Sequence, residues 1–369
     1  MPPLVMMIKP VSGLCNMRCT YCFYADEMAR REVDVYARMT DETLENLVRR
    51  AFSYADREVL FAFQGGEPTL AGADYYRKLL ALEKKYNSRR LPVRHAIQTN
   101  GLSLPDDLLS VLVEGHFLVG VSLDGYRAVH DLRRVDAGGR GTYDRVLDTT
   151  RRLRAAGLDY NILCVVDETL GREPDKVFEA LKAHRFLQFI PCLDPMDGTK
   201  SEGSLTPETY GRFLIAMFRH YERAIRSGRY VSMRTFDNWA AILAGQPPEE
   251  CGFLGRCTPH FLVESSGDVY PCDFYALDEW RLGNLNDEAL LRIARSPRAD
   301  AFCARVHALD GKCGACPFRG LCRYACRRDM EPIRPGEANA SRWCASYQMF
   351  FGQCLPALQA LVKDCVRRE

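Results

Sequence analysis

Net charge is almost absent from this chain of 369 residues, in which 50 Lys and Arg stand against 48 Asp and Glu and leave +2. A protein that holds nucleic acid needs a basic face to meet the phosphates, so no nucleic-acid partner is expected. Long apolar runs are missing too. No stretch reaches the roughly 18 residues that cross a bilayer, and no membrane association is expected. The opening residues, Met1 to Lys9, have neither the basic stretch nor the apolar length of an export signal, so the expected location is cytoplasmic. Internal repeats and low-complexity linkers are also lacking. What is there, 47% hydrophobic and 27% charged residues, is the composition of a globular protein. Its length allows a core without cross-links and about two domains.

Cysteine breaks this ordinary pattern, with sixteen in the chain. Without an export signal a disulfide framework is not expected. Their clustering points to metal sites or redox chemistry.

The first half alternates strand-like and helix-like segments. Apolar runs rich in β-branched residues predict strands at Leu4–Lys9, Val59–Gln64, Arg94–Gln98, Phe117–Leu123, Tyr160–Val166 and Leu187–Ile190. Thr40 reads as a helix cap, followed by Leu44, Leu47, Val48 and Ala51 at helical spacing. Further helical patterns follow Gly72, Pro105, Thr142 and Glu173, and a long one covers Pro207 to Arg226. Six β-then-α units predict a parallel barrel or open parallel sheet. Polar turns sit behind the strands: Gly65-Gly66-Glu67-Pro68, Gln98-Thr99-Asn100-Gly101, Ser122-Leu123-Asp124-Gly125 and Cys192-Leu193-Asp194-Pro195. In (β/α) barrels that end carries the chemistry. From about Cys251 the apolar periodicity weakens, and a second region is expected there, held by metal more than by core.

Cys15, Cys19 and Cys22 form C-x3-C-x2-C directly behind the first strand. Three thiolates on one loop can hold three corners of a 4Fe–4S cube. The fourth iron then stays open, and an open position marks a catalytic metal. Spacing alone leaves two other readings, a structural zinc site and reduced core thiols, although zinc favours four closed ligands. Farther along, Cys257, Gly267 and Cys272 read C-x9-G-x4-C, and Cys313, Cys316, Cys322 and Cys326 read C-x2-C-x5-C-x3-C. With Cys251 and Cys344 these make eight cysteines, enough for two fully ligated 4Fe–4S clusters or two structural zinc sites.

The C-x3-C-x2-C loop with Tyr21 before its last cysteine, together with the Gly-Gly-Glu-Pro turn, resembles the radical S-adenosylmethionine (SAM) superfamily. The eight later cysteines resemble a SPASM domain. Phe61 to Gly72, Asn161 to Val166, Leu187 to Ile190, Tyr270 to Tyr275 and Trp280 to Asn284 resemble the anaerobic sulfatase-maturating enzymes, and this resemblance runs over essentially the whole chain. It implies an α/β fold: a partial (β/α)6 TIM-type barrel over residues 1–235 and a C-terminal SPASM domain over 236–369. It implies SAM and three 4Fe–4S clusters as cofactors. Cys15, Cys19 and Cys22 are then ligands of the first cluster. Cys251, Cys257, Cys272 and Cys326 hold one auxiliary cluster, and Cys313, Cys316, Cys322 and Cys344 the other. Tyr21, Gly66, Ser122, Arg134 and Leu193 are the implied SAM contacts. A guanidinium suits SAM's carboxylate, which it can pair bidentately; the plain reading of Arg134 is a surface arginine beside Arg133. Gln64 and Gln98 are candidates to touch substrate or SAM.

The implied reaction is hydrogen abstraction by a 5′-deoxyadenosyl radical from a Cys or Ser in a sulfatase polypeptide. The target motif is Cys/Ser-x-Pro/Ala-x-Arg and the product is Cα-formylglycine. Asp273 is the implied general base, a role a positioned carboxylate can fill; its plain reading is a turn carboxylate behind a ligand. A small reductase, flavodoxin or ferredoxin, is the implied electron donor, and low oxygen the implied setting. Two alternatives remain at this stage. One is a SPASM enzyme that forms a thioether or other crosslink in a ribosomal peptide, which a leader-binding N-terminal domain would favour; none is evident. The other is a non-catalytic multi-cluster electron carrier, against which the three-ligand loop counts. Among the remaining cysteines, Cys164 reads as core and Cys192 as packing or substrate-side, while Cys303, Cys354 and Cys365 carry no signal. Tyr324-Ala325 stands before Cys326 where the family often has small glycines, a departure that leaves ligand spacing intact.

Overall fold

A computed structural model describes residues 3–304, 311–334 and 339–366. The fold class is α/β, with the six parallel strands of a partial (β/α)6 barrel: β1 Leu4–Ile8, β2 Val59–Phe63, β3 Val93–Thr99, β4 Leu118–Ser122, β5 Tyr160–Val166 and β6 Phe186–Pro191. Four short strands follow: β7 Ser232–Met233, β8 Leu262–Val263, β9 Asp268–Tyr270 and β10 Gly283–Asn284. The chain packs as two compact units. The first comprises Met1–Ser122, Arg134–Tyr160 and Thr258–Cys303; the second comprises Leu123–Arg133, Asn161–Cys257 and Ala304–Glu369.

In the first unit the strands lie in the order β10-β9-β8-β1-β2-β3-β4. Leu4, Met6 and Ile8 of β1 and Val59, Phe61 and Phe63 of β2 are buried on one face, and the residues between them are half-buried. Strands covered on both faces are what parallel pairing requires. The helix Asp41–Tyr54 begins at Thr40, whose Oγ1 accepts from Thr43 N at 3.1 Å; such a cap stabilises a helix by about 1 kcal/mol. β8 adds to the free side of β1, pairing Met7 with Leu262 and Ile8 with Val263. The chain then reverses into β9 through Gly267, whose φ of +89° is a conformation glycine adopts without strain.

In the second unit β5, β6 and β7 are neighbours. The long helix Pro207–Arg226 starts at Thr206, which caps it, and packs against a helix spanning Cys344–Val366. Phe218 meets Phe350 edge-on at 5.5 Å, and Trp239 lies against Phe350 at 4.6 Å and Phe351 at 4.8 Å. The region after Cys251, expected to be held by metal more than by core, also has buried aromatics at Trp343, Phe350 and Phe351. Aromatic side chains, buried at large apolar gain, form a core that includes the helix Cys344–Val366.

Candidate active site

The parallel register aligns the strand ends of the first unit. Ile8 pairs with Phe63, Phe63 with Ile97, and Thr99 with Val121. The loop bearing Cys15, Cys19 and Cys22 leaves β1 at this edge and rests on the turn behind β2. Gly66 N donates to Ser12 O at 2.9 Å and Glu67 N to Leu14 O at 2.8 Å. A Cβ on Gly66 would stand 2.2 Å from Leu14 O and 2.7 Å from Gly13 C, so only glycine lets the two backbones approach. Gly66→Ala is expected to displace the cysteine loop. Reconstituted protein should then bind about a third less iron, the share of one cluster in three, read by iron analysis.

Glu67 fixes the other side of this turn. Its carboxylate is fully buried. It accepts from Thr69 N (3.0 Å), Thr69 Oγ1 (2.7 Å), Thr99 Oγ1 (2.8 Å) and Asn100 N (2.7 Å). Burial pushes its pKa above the usual carboxylate range despite these four donors. Asn100 carries the link onward, with Nδ2 donating to Asn16 Oδ1 at 2.8 Å and lying 3.6 Å from Cys15 Sγ. Sequence reading noticed both turns without assigning either residue a task.

Residues 135–137 hold the cysteine loop from another direction. Met17 bridges to Asp136, and Arg18 N donates to Val135 O at 2.8 Å. Asp136 is itself fixed by Gly138 N at 2.9 Å, Arg140 N at 3.0 Å and Arg145 at 2.8 Å. Just before it, Arg134 places Nη1 3.9 Å from Cys19 Sγ and its guanidinium 5.3 Å over the Tyr21 ring. It is only 7% exposed, which removes the surface-arginine reading. In the second unit, Arg133 is buried in a 2.7 Å ion pair with Asp167. Ser122 ends β4 and accepts from Gln98 Nε2 at 3.1 Å. Leu193 follows β6 in the second unit, on a loop tied down at Asp194. That carboxylate takes Lys200 at 2.6 Å, Ser204 at 2.5 Å and Arg342.

Asp273 follows the β8–β9 hairpin in the first unit. Its Oδ1 lies 3.4 Å from Cys272 Sγ, and the side chain is half-buried. Desolvation pushes its pKa up, against the pull of Cys272, His260 and Lys9. The Gln64 amide also faces this carboxyl, yet Gln64 Nε2 and His260 Nε2 are buried without a hydrogen-bond partner among the described residues. Buried polar atoms of this kind are uncommon. Beneath lies a charged cluster that sequence reading missed. Lys9 Nζ donates to Glu27 at 3.0 Å and Glu264 at 3.3 Å, and Arg31 pairs with Glu264 at 2.7 Å; all four are buried. The other oxygen of Glu27 accepts from Ala276 N at 2.7 Å. This bond joins the helix behind the cysteine loop, Phe23–Met28, to the segment carrying Asp273. Burial lowers the pKa of Lys9, but Glu27 and Glu264 outweigh it and leave it raised.

In the second unit, Cys322 feels Cys344, Cys313 and Cys316 electrostatically, and Cys326 feels Cys251 and Cys257. Cys272 belongs to the first unit. Cys164 is buried within β5 and Cys354 within the last helix. Cys192 is 1% exposed; burial, with Asp167, Asp194 and Asp124 nearby, pushes its thiol up to about 12. Its side chain packs in the interior of the second unit.

Three thiols on one loop and seven in two neighbourhoods suit iron–sulfur clusters, which take one thiolate on each iron. Cys19→Ala is expected to abolish 5′-deoxyadenosine formation while about two thirds of the iron remains, since only the first loop loses a ligand; iron analysis and chromatography of the SAM products check both.

The chain matches the model of the radical SAM superfamily over residues 10–181 and that of the SPASM iron–sulfur cluster-binding domain over 251–317. It is 40% identical to a cysteine-type anaerobic sulfatase-maturating enzyme of Clostridium novyi, with all of both chains covered. The cysteine-type enzyme of Clostridium perfringens is 38% identical, over 97% of this chain and 98% of its own. The serine-type enzyme of Klebsiella aerogenes is 29% identical, over 98% and 88%. The solved structure of native anSMEcpe with bound AdoMet and Cp18Cys peptide superposes with a TM-score of 0.93 at 37% identity, covering 99% of this chain and 100% of that one. SuiB of Streptococcus suis, bound to its precursor peptide SuiA, shares the fold at a TM-score of 0.66 and 15% identity.

Proposed function

The chain belongs to the anaerobic sulfatase-maturating enzymes of the radical SAM superfamily, and from that premise we propose that it converts a cysteine in a sulfatase polypeptide to Cα-formylglycine. The observation that carries this reading is one compact unit that joins a three-thiol loop to a half-buried carboxylate. When bound, SAM and its cluster supply a 5′-deoxyadenosyl radical, which removes a hydrogen atom from the target Cβ. The protein does the remaining work. Cys15, Cys19 and Cys22 would hold the first cluster, and Tyr21, Gly66, Ser122 and Arg134 would contact SAM, with Leu193 the further SAM contact that the family resemblance implies. Arg134 would pair with the SAM carboxylate. Asp273 takes the proton from the target thiol or hydroxyl, in surroundings where desolvation raises its basicity. Gln64 and His260 offer buried donors to the incoming peptide.

Cys251, Cys257, Cys272 and Cys326, and Cys313, Cys316, Cys322 and Cys344, are the proposed ligands of the two auxiliary clusters. Residues 1–235 are then the SAM-cleaving part and 236–369 the auxiliary-cluster part. We propose a sulfatase motif Cys/Ser-x-Pro/Ala-x-Arg as the segment recognised, with cysteine preferred because the cysteine-type relatives are the more similar. A small reductase, flavodoxin or ferredoxin, is the proposed electron donor. No helix among the described residues is long and apolar enough to cross a membrane, and the proposed location is the cytoplasm of a cell living at low oxygen.

The test is anaerobic incubation of reconstituted, reduced enzyme with SAM and two peptides that differ only in Cys or Ser at the target. Mass spectrometry should find the aldehyde from the Cys peptide, formed faster than from the Ser peptide. Equal rates would refute the cysteine preference, and no aldehyde from either would refute the substrate class.

A further inference from the structure

The loop that leaves β6 in the second unit carries Leu193 and, beside it, a carboxylate with partners drawn from the far end of the chain. Asp194 is 3% exposed. Its Oδ2 accepts from Arg342, and its backbone oxygen accepts from Arg328 Nη2 at 2.6 Å. These arginines lie 148 and 134 residues away in sequence. Each stands two residues from a cysteine, Arg328 after Cys326 and Arg342 before Cys344. The two arginine segments are tied to each other. Arg342 N donates to Asp329 O at 2.8 Å, and Trp343 Nε1 donates to Asp329 Oδ1 at 3.2 Å. The Arg342 guanidinium lies 4.8 Å over the Trp343 ring, which is fully buried. The β6 loop meets this part of the chain once more at Gly198, where a Cβ would stand 2.9 Å from Pro332 Cδ.

The partners of Asp194 differ in weight. The Lys200 side chain is 69% exposed, and water screens such a pair until it contributes little. Arg342 is only 17% exposed, and a guanidinium paired with a buried carboxylate is both stronger and more exact in geometry. Burial works to raise the pKa of Asp194, but Lys200, Ser204 and Arg342 outweigh it and hold the carboxyl below its usual range. The side chain is therefore charged and needs these donors. Arg328, 3% exposed, holds the backbone of the same residue. Side chain and main chain of Asp194 are thus fixed from one direction, by segments that flank Cys326 and Cys344. Leu193 is bonded directly to this fixed point.

We propose that Asp194 is a positioning residue for SAM, clamping the β6 loop onto Arg328 and Arg342 so that Leu193 is held ready for the cofactor. The inference rests on the reading of Leu193 as a SAM contact. Asp194 touches neither SAM nor substrate in this account. It acts on the fraction of time that the loop spends in its binding geometry, and the apparent Kd is the intrinsic Kd divided by that fraction.

The test measures SAM affinity of the reconstituted three-cluster holoenzyme by anaerobic equilibrium dialysis, without reductant or peptide. Asp194→Ala should raise the Kd for SAM about tenfold, the effect of a loop in its binding geometry for about a tenth of the time. Arg342→Met leaves Asp194 its other partners and should give a smaller rise. Arg342→Lys returns a cation and should recover part of it. Asp194→Ala combined with Arg342→Met should bind no more weakly than Asp194→Ala alone, because both act through one contact. In turnover the KM for SAM should rise, while kcat at saturating SAM and the KM for the sulfatase peptide stay near wild type, the mark of lost binding. Unchanged SAM affinity in Asp194→Ala and Arg342→Met would overturn the proposal. So would a weakening that tracks iron loss, or one that Arg342→Lys does not relieve, either of which would make the network structural. Leu193→Gly checks the premise and should itself weaken SAM binding. If it does not while Asp194→Ala does, Leu193 is not the point of action and the proposal fails. The dialysis contains no peptide, so failure of the formylglycine reading shows separately, in the wild-type peptide assay.

Discussion

Asp273→Asn is expected to stop aldehyde formation while SAM cleavage continues. Asn keeps the shape of the side chain and its capacity to accept a hydrogen bond, but it cannot take a proton. General base catalysis contributes about 10²- to 10⁴-fold to a rate, and a loss in that range is expected in formylglycine formed per 5′-deoxyadenosine released. The ratio matters more than the rate. If Asp273 only closes a turn behind Cys272, Asn serves as well, because both residue types cap turns, and the ratio stays at the wild-type value. Asp273→Glu, which retains a carboxylate at a displaced position, should recover part of the coupling. Equal coupling in all three proteins would remove Asp273 from the mechanism.

The second large effect is on stability. Lys9→Met leaves Glu27 and Glu264 with one cation, Arg31, in a buried cluster. Breaking a buried pair from one side typically costs about 3–5 kcal/mol, because the abandoned charge remains desolvated. A fall in Tm of several degrees or more is therefore expected. Lys9→Met combined with Glu27→Gln removes one charge of each sign and keeps the Arg31–Glu264 pair, so it should be less destabilised than Lys9→Met alone. Simple addition of the two single effects would show that the residues are not coupled. The same cluster anchors Ala276 through Glu27, three residues after Asp273. The double variant, though folded, should therefore lose formylglycine coupling in part.

The six main strands were legible within a residue or two because each is a run of β-branched and apolar residues long enough to show its period. Thr40 and the helix Pro207–Arg226 were legible for a similar reason, through a capping residue and a sustained apolar stripe. β8, β9 and β10 were not, since two or three residues carry no period; yet β8 and β9 bring Asp273 into the first unit. The last helix was hidden by Pro356 in its interior, which reads as a breaker, and so its aromatic core was missed. The cysteine groups were visible as spacing, but their pairing came only from resemblance.

Pairs distant in the chain were the least legible. Lys9 and Glu264 are 255 residues apart, and nothing local marks either as a partner. Arg133 and Arg134 are indistinguishable in sequence; the fold turns one toward Asp167 and the other toward Cys19 and Tyr21. Glu67 and Asn100 stood in recognised turns, but their role in holding the cysteine loop depends on the register of β2 and β3.

The most direct test of the central claim uses a sulfatase-type peptide carrying deuterium on the Cβ of its target cysteine. It is incubated anaerobically with SAM and the reduced three-cluster enzyme. The account predicts peptide aldehyde, with 5′-deoxyadenosine that has gained one deuterium for each aldehyde formed. Unlabelled 5′-deoxyadenosine beside an unchanged peptide would contradict it, because the radical would then be spent elsewhere and the cysteine Cβ would not be its target.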